Sequence, residues 1–277
     1  MKTLYVSDLD ETLLNTKGEL SEYSVNTINK LIEKGEVFAY ATARSLLRAS
    51  SKTNKLNISN PVILHNGVFI MNTNTKEIVS SCVFSEEEIK TLKNLFNDSN
   101  IKPFIYSLIN GEEKISYVHN SPVNEYVNNY LETRKGDIRL NPITEIEKLY
   151  LGVPYYCLSI GTESELTVIY DKIKNDNRFN CIVQKEPRKE EYYCEIMPKL
   201  ATKANAILTL KDILNCNKIV SFGDGLNDIP MFEISDECYA VENAVGELKN
   251  IATNIIDSND NDGVAKWLNK NVLNKKE

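Results

Sequence analysis

A pattern present at both ends of the chain and missing from its middle restricts the fold more than any other feature. Near the N-terminus, short apolar runs such as "TLYVSDL" and "EVFAYAT" alternate with stretches of helical spacing. In "SEYSVNTINKLIEKG", Val25, Ile28, Leu31 and Ile32 share one helical stripe, with Ser21 placed to cap its start and Gly35 to end it. "SLLRASSKTNKL" reads as a second helix, and "PVILH" and "VFIMN" as short strands around Asn66-Gly67, a hairpin turn signal. After Pro198 the alternation resumes. It runs through a helix over 202–214, the strand "KIVSFGD", a helix after Asp228, the strand "CYAVE", another helix, the short strand "NIIDS" and a terminal helix. Apolar strands separated by amphipathic helices predict a parallel sheet covered on both faces.

Between 84 and 198 the character changes. A helix over 85–96 precedes two strands, "PFIYSLI" and "KISYVHN". A helical stretch over 123–131, the strand "YYCLSIG", a helix over 163–174 and the strand pair "FNCIVQK" and "YYCEIM" follow. These strands are rich in tyrosine and often adjacent in sequence, which predicts an antiparallel α+β unit. The expected organisation is one α/β core, 1–83 with 199–277, split by an α+β domain over 84–198. An insertion of this kind could close over a site on the core.

The 277 residues leave room for this division, and 42% hydrophobic with 26% charged residues is ordinary for a soluble globular protein. A net charge of −7 argues against general nucleic-acid binding, which favours a basic face. It leaves an anionic substrate open, because a metal ion can reverse the field of a pocket. The six cysteines are scattered with no C-x-x-C pair, the pattern of reduced, mostly buried thiols. The first residues run into a strand without a charged leader, and no apolar run approaches the roughly 20 residues of a membrane helix. A cytoplasmic protein with no membrane partner is expected.

Chemistry enters at two strand ends. Asp8 and Asp10 lie two apart at the carboxyl end of "TLYVSDL", where open α/β sheets bind their ligands. On an extended chain their side chains would leave one face, with Glu11 on the opposite parity. D-x-D alone is equally consistent with a solvated acidic turn. The second cluster changes the balance, because "KIVSFGDGLNDIPMF" also ends a buried strand in acids, at Asp224 and Asp228. Asp224 could instead stabilise a glycine turn, and Asp228 could cap a helix whose first turn admits Pro230. Two such strand ends brought together form an oxygen-rich cage without His or Cys, which suits Mg²⁺.

D-L-D-E-T-L-L, a Thr ending "FAYAT", a Lys opening a later helix, and G-D-G-L-N-D together resemble the haloacid dehalogenase superfamily. The long insertion and the run "VENAVGELKNIATNIIDSNDNDGVAKWL" are similar to its Cof-type, subclass IIB phosphatases. The resemblance implies a Rossmann-like, doubly wound parallel core with an inserted α+β cap of the C2B type. It implies Asp8 as a nucleophile that becomes phosphorylated and Asp10 as general acid and base. Asp8, Asp10 through its main-chain carbonyl, and Asp224 would hold Mg²⁺, with Asp228 as a ligand or behind one. Thr42 would donate to a phosphoryl oxygen, and Lys203 would balance negative charge beside Asp8. A capping threonine and a surface lysine are the plain alternatives for these two. Arg44 and Asn227 are candidates for substrate binding, each also readable as an ordinary helix-start or loop residue. His65 and His119 are read as structural, and "KEPRKEEYY" as a solvated hairpin.

The chain departs from the family pattern in three places. Glu11 follows Asp10 where glycine is usual, Ala43 follows Thr42 where glycine is usual, and Leu200 and Ala204 flank Lys203 in place of glycines. None removes a functional side chain, so the expected activity is a Mg²⁺-dependent phosphatase for a small phosphorylated metabolite, a sugar phosphate or a phosphorylated cofactor. A phosphomutase of hexose phosphates and a non-catalytic sensor of phosphorylated ligands are the competing readings. The first would return the phosphoryl group to a sugar hydroxyl, and the second would bind without turnover.

Overall fold

The computed structural model describes residues 2–97, 99–119, 124–185 and 190–275. The chain divides into two compact units, Met1–Ser81 with Thr202–Glu277 and, between them in sequence, Cys82–Ala201.

In chain order the first unit begins β1 (Thr3–Ser7), α1 (Glu22–Glu33), β2 (Val37–Tyr40), α2 (Leu46–Thr53), β3 (Val62–Leu64), β4 (Phe69–Met71) and β5 (Ile78–Ser81). The second unit holds α3 (Glu86–Asn97), β6 (Phe104–Ile109), β7 (Glu112–Val118), α4 (Glu125–Glu132), β8 (Leu140–Ile143), β9 (Val153–Gly161), α5 (Glu163–Ile173), β10 (Phe179–Lys185) and β11 (Tyr192–Pro198). The chain then completes the first unit with α6 (Lys203–Ile213), β12 (Lys218–Gly223), α7 (Ile229–Glu233), β13 (Glu237–Val241), α8 (Gly246–Ile251), β14 (Asn254–Ile256) and α9 (Gly263–Leu268).

Five strands of the first unit form a wholly parallel sheet in the order β14-β13-β12-β1-β2. Its interior strand β1 is buried at every residue, as a strand covered on both faces must be. On one face Trp267 of α9 packs against Tyr239 and Phe222, with ring centroids 4.4 and 5.2 Å away. Ser21 caps α1 by accepting the Ser24 amide, and Gly35 follows the helix at φ 83°. The neighbours of β1 are β2 on one side and β12 on the other. The order therefore reverses at β1/β12, the position where open α/β sheets form their ligand crevice.

β3, β4 and β5 make a separate antiparallel sheet, with a parallel bridge from Ala41 to Ile63. Asn66-Gly67 does join a hairpin, Leu64 pairing with Phe69, but the connection is longer than two residues. His65, Asn66 and Gly67 all carry positive φ, at 49, 54 and 106°. A Cβ on Gly67 would lie 2.2 Å from the Thr202 carbonyl oxygen. The turn thus presses directly on the residue that caps α6, where the Thr202 hydroxyl accepts the Asn205 amide.

The second unit is a six-stranded sheet, β10-β11-β9-β6-β7-β8, antiparallel throughout except for the parallel pair β7/β8. Leu92 and Phe96 of α3 pack with Leu166, Ile169 and Ile173 of α5 in one apolar cluster. Tyr130 of α4 joins Phe104, Leu158 and Tyr193 in another. The edge strand β8 lies outside the expected strands; its Pro142 lacks a ladder donor, which an edge tolerates. α4 starts at Glu125, and position 123 of the expected helix lies outside the described residues. Residues 186–189 of "KEPRKEEYY" also lie outside them, between paired β10 and β11. Among the described residues no helix is long and apolar enough to cross a membrane.

The Gly67 contact yields a test. Gly67→Ala meets both the left-handed φ and the Thr202 backbone, whereas Gly35→Ala meets only the φ, with open space around it. In urea denaturation Gly35→Ala should cost about 1 kcal/mol, and Gly67→Ala should add roughly 1–3 kcal/mol of overpacking. Equal losses would show that the turn does not bear on α6.

Candidate active site

Parallel pairing of β1 with β12 joins acids more than two hundred residues apart in sequence. Ser7 is in register with Phe222, and the Asp8 amide continues the ladder by donating to the Phe222 carbonyl at 2.9 Å. Asp8 is only 6% exposed. The extended run ends there. The chain coils so that the Leu14 amide donates to the Leu9 carbonyl at 2.8 Å, and Glu11 takes a left-handed φ of 57°. The strand alternation expected for Asp8, Asp10 and Glu11 therefore does not carry through, and Asp8 and Asp10 make different partnerships.

Asp8 faces Lys203, the first residue of α6. The Lys203 ammonium donates to Asp8 Oδ1 at 2.5 Å and to Asp228 Oδ1 at 2.7 Å. All three side chains are almost completely buried. Burial alone would depress the Lys203 ammonium, but the Asp8 and Asp228 carboxylates outweigh it and raise its pKa above the ordinary value. For Asp8 burial dominates. Even against the attraction of Lys203 it pushes the carboxyl up, with Asp228 and Asp224 adding repulsion.

Asp224 follows β12 and lies near both. Its Oδ1 accepts the Thr12 hydroxyl at 2.6 Å. Burial raises its carboxyl to about 6, the Thr12 hydrogen bond opposing and the Asp228 charge assisting. Asp228 precedes α7 but does not cap it with its side chain. Instead Oδ2 turns back to accept the amides of Asp224 and Gly225, each at 3.1 Å, which fixes the loop. Pro230 occupies the first turn of α7, as its missing donor allows.

β2 delivers the remaining residues. Thr42 is fully buried, its amide donating to the Ile63 carbonyl, and its hydroxyl accepts the Arg44 amide at 3.1 Å. Arg44 reaches back to Asp10. Nε donates to both carboxylate oxygens, at 2.8 and 3.1 Å, and Nη2 to Oδ1 at 2.5 Å. That hydrogen bonding raises the Arg44 guanidinium further still. The Asp10 side chain is half exposed and belongs to this fork rather than to the buried cluster. Asn227 is exposed on the turn after Gly225, directly before buried Asp228. His65 lies edge-on to Phe69, and the His119 amide donates to the Ile143 carbonyl.

Two contributors escaped the sequence reading. Thr12 holds Asp224, and its position two residues after Asp10 was the available signal. The other is the bracing role of the hairpin turn, read only as a turn, whose Asn66 amide donates to the Thr42 carbonyl at 2.9 Å while Gly67 packs on Thr202. One turn thereby braces the residues that carry Thr42 and Lys203.

Asp8, Asp224 and Asp228 can each offer a carboxylate oxygen within 4.8 Å of the others. Asp228 spends both oxygens on Lys203 and the loop amides, which leaves Asp8 and Asp224 as the better donors. Three carboxyl groups gather around one ammonium in a buried place. Burial is the largest cause that raises the Asp8 and Asp224 carboxyls, with Asp228 adding repulsion to both. An all-oxygen donor set of this kind fits Mg²⁺.

The haloacid dehalogenase-like hydrolase family model matches residues 5–268. The 5-amino-6-(5-phospho-D-ribitylamino)uracil phosphatase YwtE of Bacillus subtilis is 25% identical over 282 residues, covering 95% of this chain and 96% of its own. The crystal structure of a Thermotoga maritima protein superposes with a TM-score of 0.79 at 25% identity, over 98% of this chain and 97% of that one. A haloacid dehalogenase-like hydrolase of Bacteroides thetaiotaomicron gives 0.76 at 23% identity, over 98% and 99%. With the family model spanning nearly the whole sequence, this chain belongs to the haloacid dehalogenase-like hydrolases, as a Cof-type phosphatase of that superfamily.

Proposed function

We propose that the protein hydrolyses a small phosphorylated metabolite, a sugar phosphate or a phosphorylated cofactor, through an aspartyl-phosphate on Asp8 and with Mg²⁺ as cofactor. The observation that carries this reading is the buried Lys203 ammonium clamped by Asp8 and Asp228 beside Asp224. It supplies a fixed positive charge where a phosphoryl group would meet a carboxylate nucleophile.

Asp8 uses a carboxylate oxygen to attack phosphorus in line; the new O–P bond forms as the bond to the leaving oxygen breaks. Asp10 gives that oxygen a proton and then removes one from water, which attacks phosphorus and releases Asp8 and inorganic phosphate. Thr42 donates its hydroxyl proton to a phosphoryl oxygen, and Lys203 offsets charge on the phosphoryl group and Asp8. Asp8, Asp224 and the Asp10 carbonyl would hold Mg²⁺, which when bound supplies further neutralisation, with Asp228 fixing Lys203 and the loop behind them.

Arg44 gives the site a substrate-dependent element. Its fork is occupied by Asp10. A phosphoryl group competing for the guanidinium would release the Asp10 carboxyl for proton transfer. The substrate class is supported by the Bacillus subtilis relative, named for a phosphorylated ribityl compound. Asn227 remains a candidate at the exposed rim.

Two experiments test the proposal. Wild type should hydrolyse p-nitrophenyl phosphate only with Mg²⁺, Asp8→Asn should abolish turnover, and Asp10→Asn should lower kcat by about 10²–10⁴. Metal-dependent turnover in Asp8→Asn at the wild-type level would refute the nucleophile. In thermal melts Mg²⁺ at ~100 Kd should stabilise wild type by about 2.7 kcal/mol, and Asp224→Asn should remove most of that response. A response unchanged by Asp224→Asn would place the ion elsewhere. A panel of phosphorylated metabolites, scored by phosphate release, then ranks substrates.

A further inference from the structure

The loop over 9–14 carries Asp10 and Thr12, and one residue in it is held in an unfavourable conformation. Glu11 has φ 57° and ψ 9°, the left-handed region that disfavours any residue with a Cβ. Glycine would occupy this region without such a penalty. Two side-chain amides from distant parts of the chain reach this loop. Asn243, two residues past β13, donates from Nδ2 to the Glu11 carbonyl at 2.7 Å. Its Oδ1 accepts the Asn259 amide at 3.0 Å. Asn259 follows β14, is buried, and donates from its own Nδ2 to the Leu14 carbonyl at 3.1 Å. The carbonyls of residues 11 and 14 are therefore tied to one pair of asparagines, with Thr12 and its hydrogen bond to Asp224 between them.

We infer that Asn243 is a positioning residue, whose carboxamide holds the Glu11 carbonyl and so lets a residue other than glycine occupy the left-handed turn that sets Asp10 and Thr12. The inference rests on the proposed roles of Asp10 and Asp224. Only an amide fits the position. It offers a donor to Glu11 and an acceptor to Asn259 at once, whereas a carboxylate would face the Glu11 carbonyl with no proton to share. Glycine at position 11 would hold the turn by itself, so the clamp matters because this chain has Glu11.

A double-mutant cycle with p-nitrophenyl phosphate and Mg²⁺ tests this. Asn243→Ala should lower kcat about tenfold, the worth of one such hydrogen bond, with KM changed less than about threefold. Asn243→Asp should fall with it. In a Glu11→Gly background the same Asn243→Ala substitution should cost less than about threefold, because the two positions are coupled. Equal loss in both backgrounds, or wild-type kcat in Asn243→Asp, would overturn the assignment. Hydrogen exchange supplies a readout independent of turnover. Amides of 9–14 should exchange faster in Asn243→Ala than in wild type, β1 should be unchanged, and Glu11→Gly should restore the loop. Unchanged exchange over 9–14 would equally overturn it. If wild type hydrolyses no phosphate ester, the proposed function fails, and the exchange comparison alone decides the clamp.

Discussion

A buried ammonium is stable only when its charge is met, and the site is organised around that demand. The Lys203 side chain is 1% exposed and has Asp8 on one side and Asp228 on the other. Removing one partner from such a pair typically costs about 3–5 kcal/mol, because the remaining charge stays buried and unpaired. Each element that contacts the triad therefore has little freedom. β1 must lie beside β12 for Asp8 to reach the loop that carries Asp228. α6 must begin at Lys203, which the Thr202 cap secures. The hairpin turn must carry glycine at 67, since it rests against the Thr202 backbone.

The triad overcorrects in one direction. Two carboxylates satisfy one ammonium more than fully, and Asp224 adds a third negative group nearby. Burial is the largest cause of the upward displacement of the Asp8 and Asp224 carboxyls, and the Asp228 charge adds to it. On the proposed function, a divalent cation bound by Asp8 and Asp224 would draw on the surplus carboxylate and offset that repulsion.

Much of this was legible in the sequence because it is encoded locally. An apolar run ending in acids, a serine or threonine before a helical stripe, and a glycine after it are short-range signals, and they located β1, β12, α1 and α6. The parallel sense of the sheet followed from strand–helix alternation, whereas its strand order did not. What stayed hidden depends on which polar groups meet after folding. The Thr12 hydrogen bond to Asp224 and the Arg44 fork on Asp10 join separate segments, and no local pattern states them. Asp228 was readable as a helix cap, yet its carboxylate turns back to its own loop because two free amides lie there. The strand β8, also unread from the sequence, contains Pro142, which an interior strand would exclude but an edge tolerates.

Energetics divide the site into a fixed half and an exchangeable half. The pairs of Lys203 are sealed from water and expensive to break. The pair of Arg44 with Asp10 has better hydrogen-bond geometry, being a fork with three short contacts, yet its carboxylate side chain is 48% exposed. Water and salt screen such a pair, and its net worth is about 0–1 kcal/mol. A phosphate ester carries more charge than one carboxylate and presents the same planar match to a guanidinium. On the proposed mechanism, exchange of Asp10 for phosphate at Arg44 would cost little, whereas exchange at Lys203 would expose a buried carboxylate. The residue proposed to move a proton sits on the half that can let go, and the proposed nucleophile sits on the half that cannot.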